Sequence, residues 1–319
     1  MPSTEYRDGK FHQVTVRVKR PGQYTVRQRK GYTAPAPDTR AADDPASPGG
    51  ASTAIRGALR LPIPVRGLSV SLFSAAFKGD TRDGSVVIGG TIAGDLLLDG
   101  TQQVGLAYQV FTIENHVQVG EYQTFALDLQ ADTRAKVGAN GLHFVDRLSL
   151  PPGRYEIRYA VDQPGGHVGS VVAPLTVPKF DEALSLSGVV LASVATADHV
   201  MLRDDAGIRE RLGANPTSAR IFHRGDTLNA FAEVYSDDAR LTADDLTITG
   251  SLSTVDGLPV SREDARLRSA ERPGDGRWAY TVEVGLDDVP AGSYVVTIEA
   301  TSTRHNDPVR HAILITVEE

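Results

Sequence analysis

The chain repeats itself. Pro151-Pro152-Gly153-Arg154-Tyr155-Glu156-Ile157 returns 139 residues later as Pro290-Ala291-Gly292-Ser293-Tyr294-Val295-Val296. In each copy a Pro–Gly turn delivers a tyrosine at the start of an alternating run, and a polar loop and a closing run follow. A repeat of that length is the size of a domain, and 319 residues are too many for one ordinary β-sandwich. Two similar units in series account for both facts. The competing reading is that Pro-x-Gly-x-Tyr is a common turn-to-strand junction, which leaves the class of fold unchanged.

Each unit alternates apolar and polar residues at the period of a strand. Leu68–Phe73, Val86–Ile92, Leu106–Ile113, Thr124–Leu129, Tyr155–Val161 and Val171–Val177 are strand candidates in the first. The second offers Leu184–Val194, Thr227–Tyr235, Leu246–Leu252, Trp278–Val284, Gly292–Ala300 and Ala312–Val317, with a helical turn or two over Asp204–Leu212. The 31 Gly and 18 Pro supply the turns between them. The expected fold is all-β: two tandem immunoglobulin- or fibronectin-III-like β-sandwiches over 65–178 and 184–319. A hairpin over 1–32 and a Pro/Ala-rich linker over 33–64 precede them. In the hairpin, Val14, Val16 and Val18 alternate with polar residues, and Tyr24 and Val26 follow the turn at Pro21-Gly22. In the linker, Ser52 is placed to cap a short helix over Thr53–Leu61 that Pro62 and Pro64 stop. Gly153-x-Tyr155 and Gly292-x-Tyr294 sit where such sandwiches carry a tyrosine corner, its hydroxyl tied to nearby backbone. Trp278 heads an alternating run and is expected in a core.

The chemistry of the side chains excludes more than it suggests. With 0 Cys there are no disulfides, thiolate zinc sites or cysteine nucleophiles. A net charge of −7 opposes a partner made of nucleic acid, which selects basic surfaces. No apolar run reaches the roughly 20 residues that span a bilayer, and the first residues lack the pattern of a signal peptide. There is no Gly-x-Ser-x-Gly elbow, phosphate loop or dinucleotide fingerprint. Six of the eight His are scattered; His305 and His311 are close enough to meet across a turn. Asp237, Asp238, Asp244 and Asp245 flank one connection and are the calcium candidates, without the spacing of a calcium loop. The bland reading of these acids is solvated turn charge. Arg224-Gly225-Asp226 runs straight into a strand, which suits a turn better than an adhesive loop tip. Catalytic and cofactor-binding residues are assigned to none, and no cofactor is expected.

The segment Val14-Thr15-Val16-Arg17-Val18-Lys19-Arg20-Pro21-Gly22, continuing to Arg29-Lys30-Gly31-Tyr32, resembles the end of the VWFA-related domain family, exported proteins of Acidobacteria and similar bacteria. Leu61-Pro62-Ile63-Pro64-Val65-Arg66, Leu184-Ser185-Leu186-Ser187-Gly188-Val189 and Arg224-Gly225-Asp226-Thr227-Leu228 extend the resemblance over most of the chain. That family's metal site needs Asp-x-Ser-x-Ser, which does not occur in this sequence. The resemblance therefore implies the C-terminal part of such a protein without its A-domain body, located outside the cytoplasm. It further implies a partner, another protein or an A-domain chain, at the N-terminal hairpin. The expected function is a non-enzymatic structural or interaction module. The alternative is a carbohydrate-binding or hydrolytic module with its site in the sandwich loops.

Overall fold

A computed structural model describes residues 11–13, 31–33, 50–94, 103–163, 166–271, 276–305 and 307–319. The expected strands of the hairpin and the Pro/Ala-rich stretch up to 49 lie outside the described residues. At the base of that hairpin, β1 (Phe11–Gln13) pairs antiparallel with β2 (Gly31–Thr33). Helix α1 (Thr53–Arg60) follows, then β3 (Val70–Lys78), β4 (Gly84–Ile92), β5 (Gln103–Thr112) and β6 (Val117–Ala126). Helix α2 (Ala131–Asn140) precedes β7 (Leu142–Leu150), β8 (Gly153–Gln163) and β9 (His167–Val177). The second half runs β10 (Ser185–Leu186), β11 (Val190–Ser193), β12 (Val200–Arg203), α3 (Ala206–Leu212), β13 (Ile221–His223) and β14 (Thr227–Tyr235). It ends with β15 (Leu246–Thr254), β16 (Pro259–Asp264), β17 (Arg266–Glu271), β18 (Arg277–Gly285), β19 (Gly292–Ser302) and β20 (Val309–Glu318). No described helix is long and apolar enough to cross a membrane.

The chain is an all-β sandwich protein, and its two halves share one strand order. In the first half, β3-β4-β7 forms one sheet and β9-β8-β5-β6 the other. In the second, β10 and β11 both pair with β14, which pairs with β18, while β20-β19-β15-β16 faces them. Alternation decides which side chains fill each interior. Val86, Ile88, Phe144, Ile157 and Val161 are among those that fill the first, and Leu228, Ala230, Val282, Val296 and Ile298 among those that fill the second.

The halves stack face to face rather than follow one another as beads. Phe73, Phe77, Val87 and Val145 on the outer face of the β3-β4-β7 sheet pack against Val190, Ala192, Phe231 and Ala279. Four sheets thus lie in layers, and the two inner ones are covered on both faces. Strand β3 meets the second half through backbone. The Gly188 N–H donates to the Ala76 carbonyl at 2.7 Å. A Cβ at Gly188 would lie 2.7 Å from Ala75 Cα.

Three features depart from the sequence reading. The run read as β throughout contains α2, because Ala131–Asn140 lacks period-2 alternation and Gly141, at φ 80°, ends a helix there. The stretch read as a linker is, from Ala51 onward, a packed layer. Ser52 caps α1 by accepting from Ile55 N–H at 3.1 Å, and Ile55, Ala58 and Leu59 bury against Ala107, Ala160 and Val168. Arg158 on β8 donates to the carbonyls of Leu59 and Arg60 at 3.0 and 3.2 Å, satisfying the helix's C-terminal end. Finally, the boundary near 180 is crossed. Strand β12 pairs in parallel with β7, at the edge of the first half's sheet. The matching edge in the second half, beside β18, is filled by its own β17.

Candidate functional site

One cleft opens where the halves meet and a second lies on the first half, and both are lined by residues far apart in sequence. The first, about 240 Å³, is bordered by Lys78, Ser85, Arg147, Arg211, Glu233 and Arg277. Glu233 is 4% exposed because it shares the face of β14 that carries Phe231, turned toward the first half. Its carboxylate accepts from Arg211 Nη1 at 2.9 Å and from the Tyr235 hydroxyl at 2.6 Å. The Tyr235 oxygen in turn accepts from Lys78 N–H at 2.9 Å, and Arg277 Nη2 donates to the Lys78 carbonyl at 2.6 Å. Burial, then Glu233, raises the Tyr235 pKa, so the hydroxyl keeps its proton and acts as a donor. Both backbone groups at the end of edge strand β3 are thereby occupied by side chains of the other half. Arg147 is held by Asp205 at 2.7 Å and by Ser85 at 3.0 Å. A buried carboxylate with this many charged and hydroxyl partners fixes one relative orientation of two sheets.

The second cleft, about 310 Å³, is bordered by Ser69, Ser71, Thr91 and Asn140. Ser71, Thr91, His143 and Met201 lie directly opposite one another across β3, β4, β7 and β12. Ser218 bridges Ser71 at 2.7 Å and Thr91 at 2.9 Å. Thr91 Oγ1 is 3.1 Å from His143 Nδ1, and His143 Nε2 is 2.9 Å from the Asn140 carbonyl. A carbonyl only accepts, so Nε2 carries the proton and Nδ1 accepts from Thr91. Burial, then the neighbouring His199, lowers the His143 pKa to about 4. The two imidazoles stack with centroids 4.2 Å apart. A base that activates a serine at neutral pH needs a pKa nearer 7 and direct contact with the hydroxyl. Here two hydroxyls separate Ser71 from the imidazole. The row joins a sheet of one half to the 213–220 segment of the other.

The residues singled out in the sequence fall elsewhere. Tyr155 donates to the Pro151 carbonyl at 2.8 Å and Tyr294 to the Pro290 carbonyl at 2.8 Å. The two tyrosines occupy matching strands, β8 and β19, each two residues after the glycine, Gly153 or Gly292, that starts its strand. Trp278 is 7% exposed within the second core. Of the calcium candidates, Asp238 accepts from Arg240, Asp245 from Thr242, Thr303 and Arg304, and Asp237 lies 3.6 Å from Lys78. Hydrogen bonds from Thr242 backbone and side chain, then Thr303, hold the Asp245 carboxyl well below its ordinary range. Asp244 is exposed. Among the described residues no group of three His, Asp or Glu stands together as a metal site. His305 lies 3.8 Å from Asp238, and His311 pairs across from Ile298. In the Arg224-Gly225-Asp226 turn, Gly225 adopts φ 89°, and the Asp226 carboxylate accepts from His223 N–H at 3.1 Å.

Sequence reasoning passed over Glu233, Arg277, His143 and Asp146. The available signal was a charge or imidazole inside an otherwise apolar run, as in Ala230-Phe231-Ala232-Glu233-Val234 and Phe144-Val145-Asp146. The chain matches no protein-family model and no curated protein.

Proposed function

We propose that this chain is a non-enzymatic structural or interaction module working outside the cytoplasm, similar to the C-terminal portion of VWFA-related proteins. One observation carries the reading: the charged and hydroxyl side chains gathered between the halves are engaged in joining them. Tyr235 and Arg277 occupy the end of β3, with Glu233 bonded to Tyr235 and to Arg211 behind them, and His143 is held neutral in a hydrogen-bonded row. Such a unit presents two sandwiches at a fixed angle, which suits a spacer or a docking platform. The shared strand order and the paired corner tyrosines support an immunoglobulin- or fibronectin-III-like character for each unit. The location and a partner at the N-terminal hairpin rest on the family resemblance.

The test combines geometry with chemistry. Spin labels placed on exposed positions of β6 and β16 are expected to give one narrow distance distribution. The protein is expected to turn over no chromogenic ester or glycoside, and to bind no polysaccharide of a representative panel saturably. Turnover lost in Ser71→Ala or Glu233→Gln, or a broad distance distribution, would overturn the reading.

A further inference from the structure

We infer that β12 is an acid-released latch, a strand supplied by the second half that closes the first half's sheet at neutral pH and detaches on acidification. The geometry of the seam is the starting point. Only Val200, Met201 and Arg203 pair with β7, in parallel, with a register shift between Met201 and Arg203. All four residues of β12 are half-buried. The shift places Arg203 opposite Phe144, whose ring lies in the first core, so the guanidinium turns inward. There Arg203 Nη1 stands 2.7 Å from Asp146 Oδ1, an ion-pair distance, though not aligned as a hydrogen bond. Asp146 is 4% exposed.

Two titratable clusters therefore hold the seam, one on each face of β7. Facing Asp146 are Arg203 from β12, Tyr159 from β8 at 3.2 Å, Glu121 from β6 and Tyr108 from β5. Facing the His143–His199 stack are Thr91 from β4, Ser218, the Asn140 carbonyl of α2, and Asp198, itself 3.6 Å from Lys136 of α2. His199 Nδ1 is buried without a hydrogen-bond partner among the described residues. Beyond β12, Asp205 is tied to Arg147 of β7.

The His143–His199 cluster sets the direction. Burial raises the Asp146 pKa, and the nearby Arg203 opposes that rise. Detaching β12 removes Arg203 and also admits water, and these act on the Asp146 carboxyl in opposite senses, so the Arg203–Asp146 pair anchors the latch and does not sense the proton. Burial, then His199, lowers the His143 pKa. Detaching β12 removes the second imidazole and admits water, so the detached form binds a proton at His143 more readily. A state that takes up protons on opening is favoured as pH falls, by up to tenfold per pH unit for each proton taken up.

Hydrogen exchange on the full chain tests this, with rates corrected for the intrinsic pH dependence. Between pH 7 and pH 4.5, protection of the amides in 200–203 and 142–144 is expected to fall at least tenfold while β19 keeps its protection. In His199→Phe, which keeps a stacked ring without the charge, the fall is expected to begin at the same pH but to be smaller. In Arg203→Met the seam is expected to exchange quickly already at pH 7. Equal seam protection at both pH values in the natural protein would overturn the latch. So would loss of protection in the seam and in β19 together.

Discussion

Gly188→Ala tests whether the two sandwiches are one mechanical body. Gly188 has no left-handed backbone, so the substitution acts through space alone. The new methyl would meet Ala75 Cα at 2.7 Å, Ala76 N at 2.8 Å and Ala75 Cβ at 2.9 Å. These are groups of a paired strand and cannot swing aside as a flexible side chain would. Overpacking of this kind costs about 1–3 kcal/mol. The Gly188–Ala76 hydrogen bond, 2.7 Å long, is stretched or lost at the same time, adding about 1 kcal/mol. The expected loss is about 2–4 kcal/mol, or roughly 5–15 °C in melting temperature for a unit of this size. Guanidinium denaturation read by Trp278, the single tryptophan, reports on the second half. Gly57→Ala is the control of opposite sign. It lies inside α1, and an added methyl group there would have nothing within 4 Å, so it should stabilise by about 0.5–1 kcal/mol. If Gly188→Ala changes stability by less than about 0.5 kcal/mol, the sheets separate at no cost and the stacked interface contributes little.

Tyr155→Phe and Tyr294→Phe should each cost about 0.5–1.5 kcal/mol in chemical denaturation, with equal signs at the two matching positions. Arg158→Met removes the donor to Leu59 and Arg60 and leaves Glu156, 2.8 Å away, without that cation. A loss of about 3–5 kcal/mol is expected, and limited proteolysis should then cut between α1 and β3. His143 makes stability depend on pH: its folded pKa of about 4 lies below the ordinary 6.5. The unfolded chain therefore binds the extra proton between those values, and stability falls as pH drops from 6.5 toward 4, by up to about 3 kcal/mol. His143→Gln, which can still accept from Thr91 and donate to Asn140, should flatten that slope in pH-dependent melts.

The sandwiches were legible because alternation and turn residues are local signals. The repeat of Pro-x-Gly-x-Tyr located β8 and β19, and Ser52 with Pro62 bounded α1. The stacking of the halves left a fainter mark. Val86-Val87-Ile88 and Ala230-Phe231-Ala232 are continuous apolar runs, the pattern of strands covered on both faces. Strand β12 left none, since a three-residue parallel pairing with a shifted register has no period to detect. Nor could Glu233 be matched with Arg211 and Arg277 beforehand, because their contact depends on how two sheets meet.

The placement of β12 also orders events on the ribosome. The first sandwich has all its own strands once Val177 has been made, yet its sheet edge beside β7 waits for Val200–Arg203. Edge strand β3 waits for Gly188, and the end of β3 for Tyr235 and Arg277. At roughly 5–20 residues per second the first of these waits lasts on the order of seconds. During that interval the nascent sandwich exposes the apolar face of Phe73, Phe77 and Val145 together with two unpaired edges. A chaperone that recognises exposed apolar sheet would therefore find this chain mid-synthesis and release it only as the second half closes over the first.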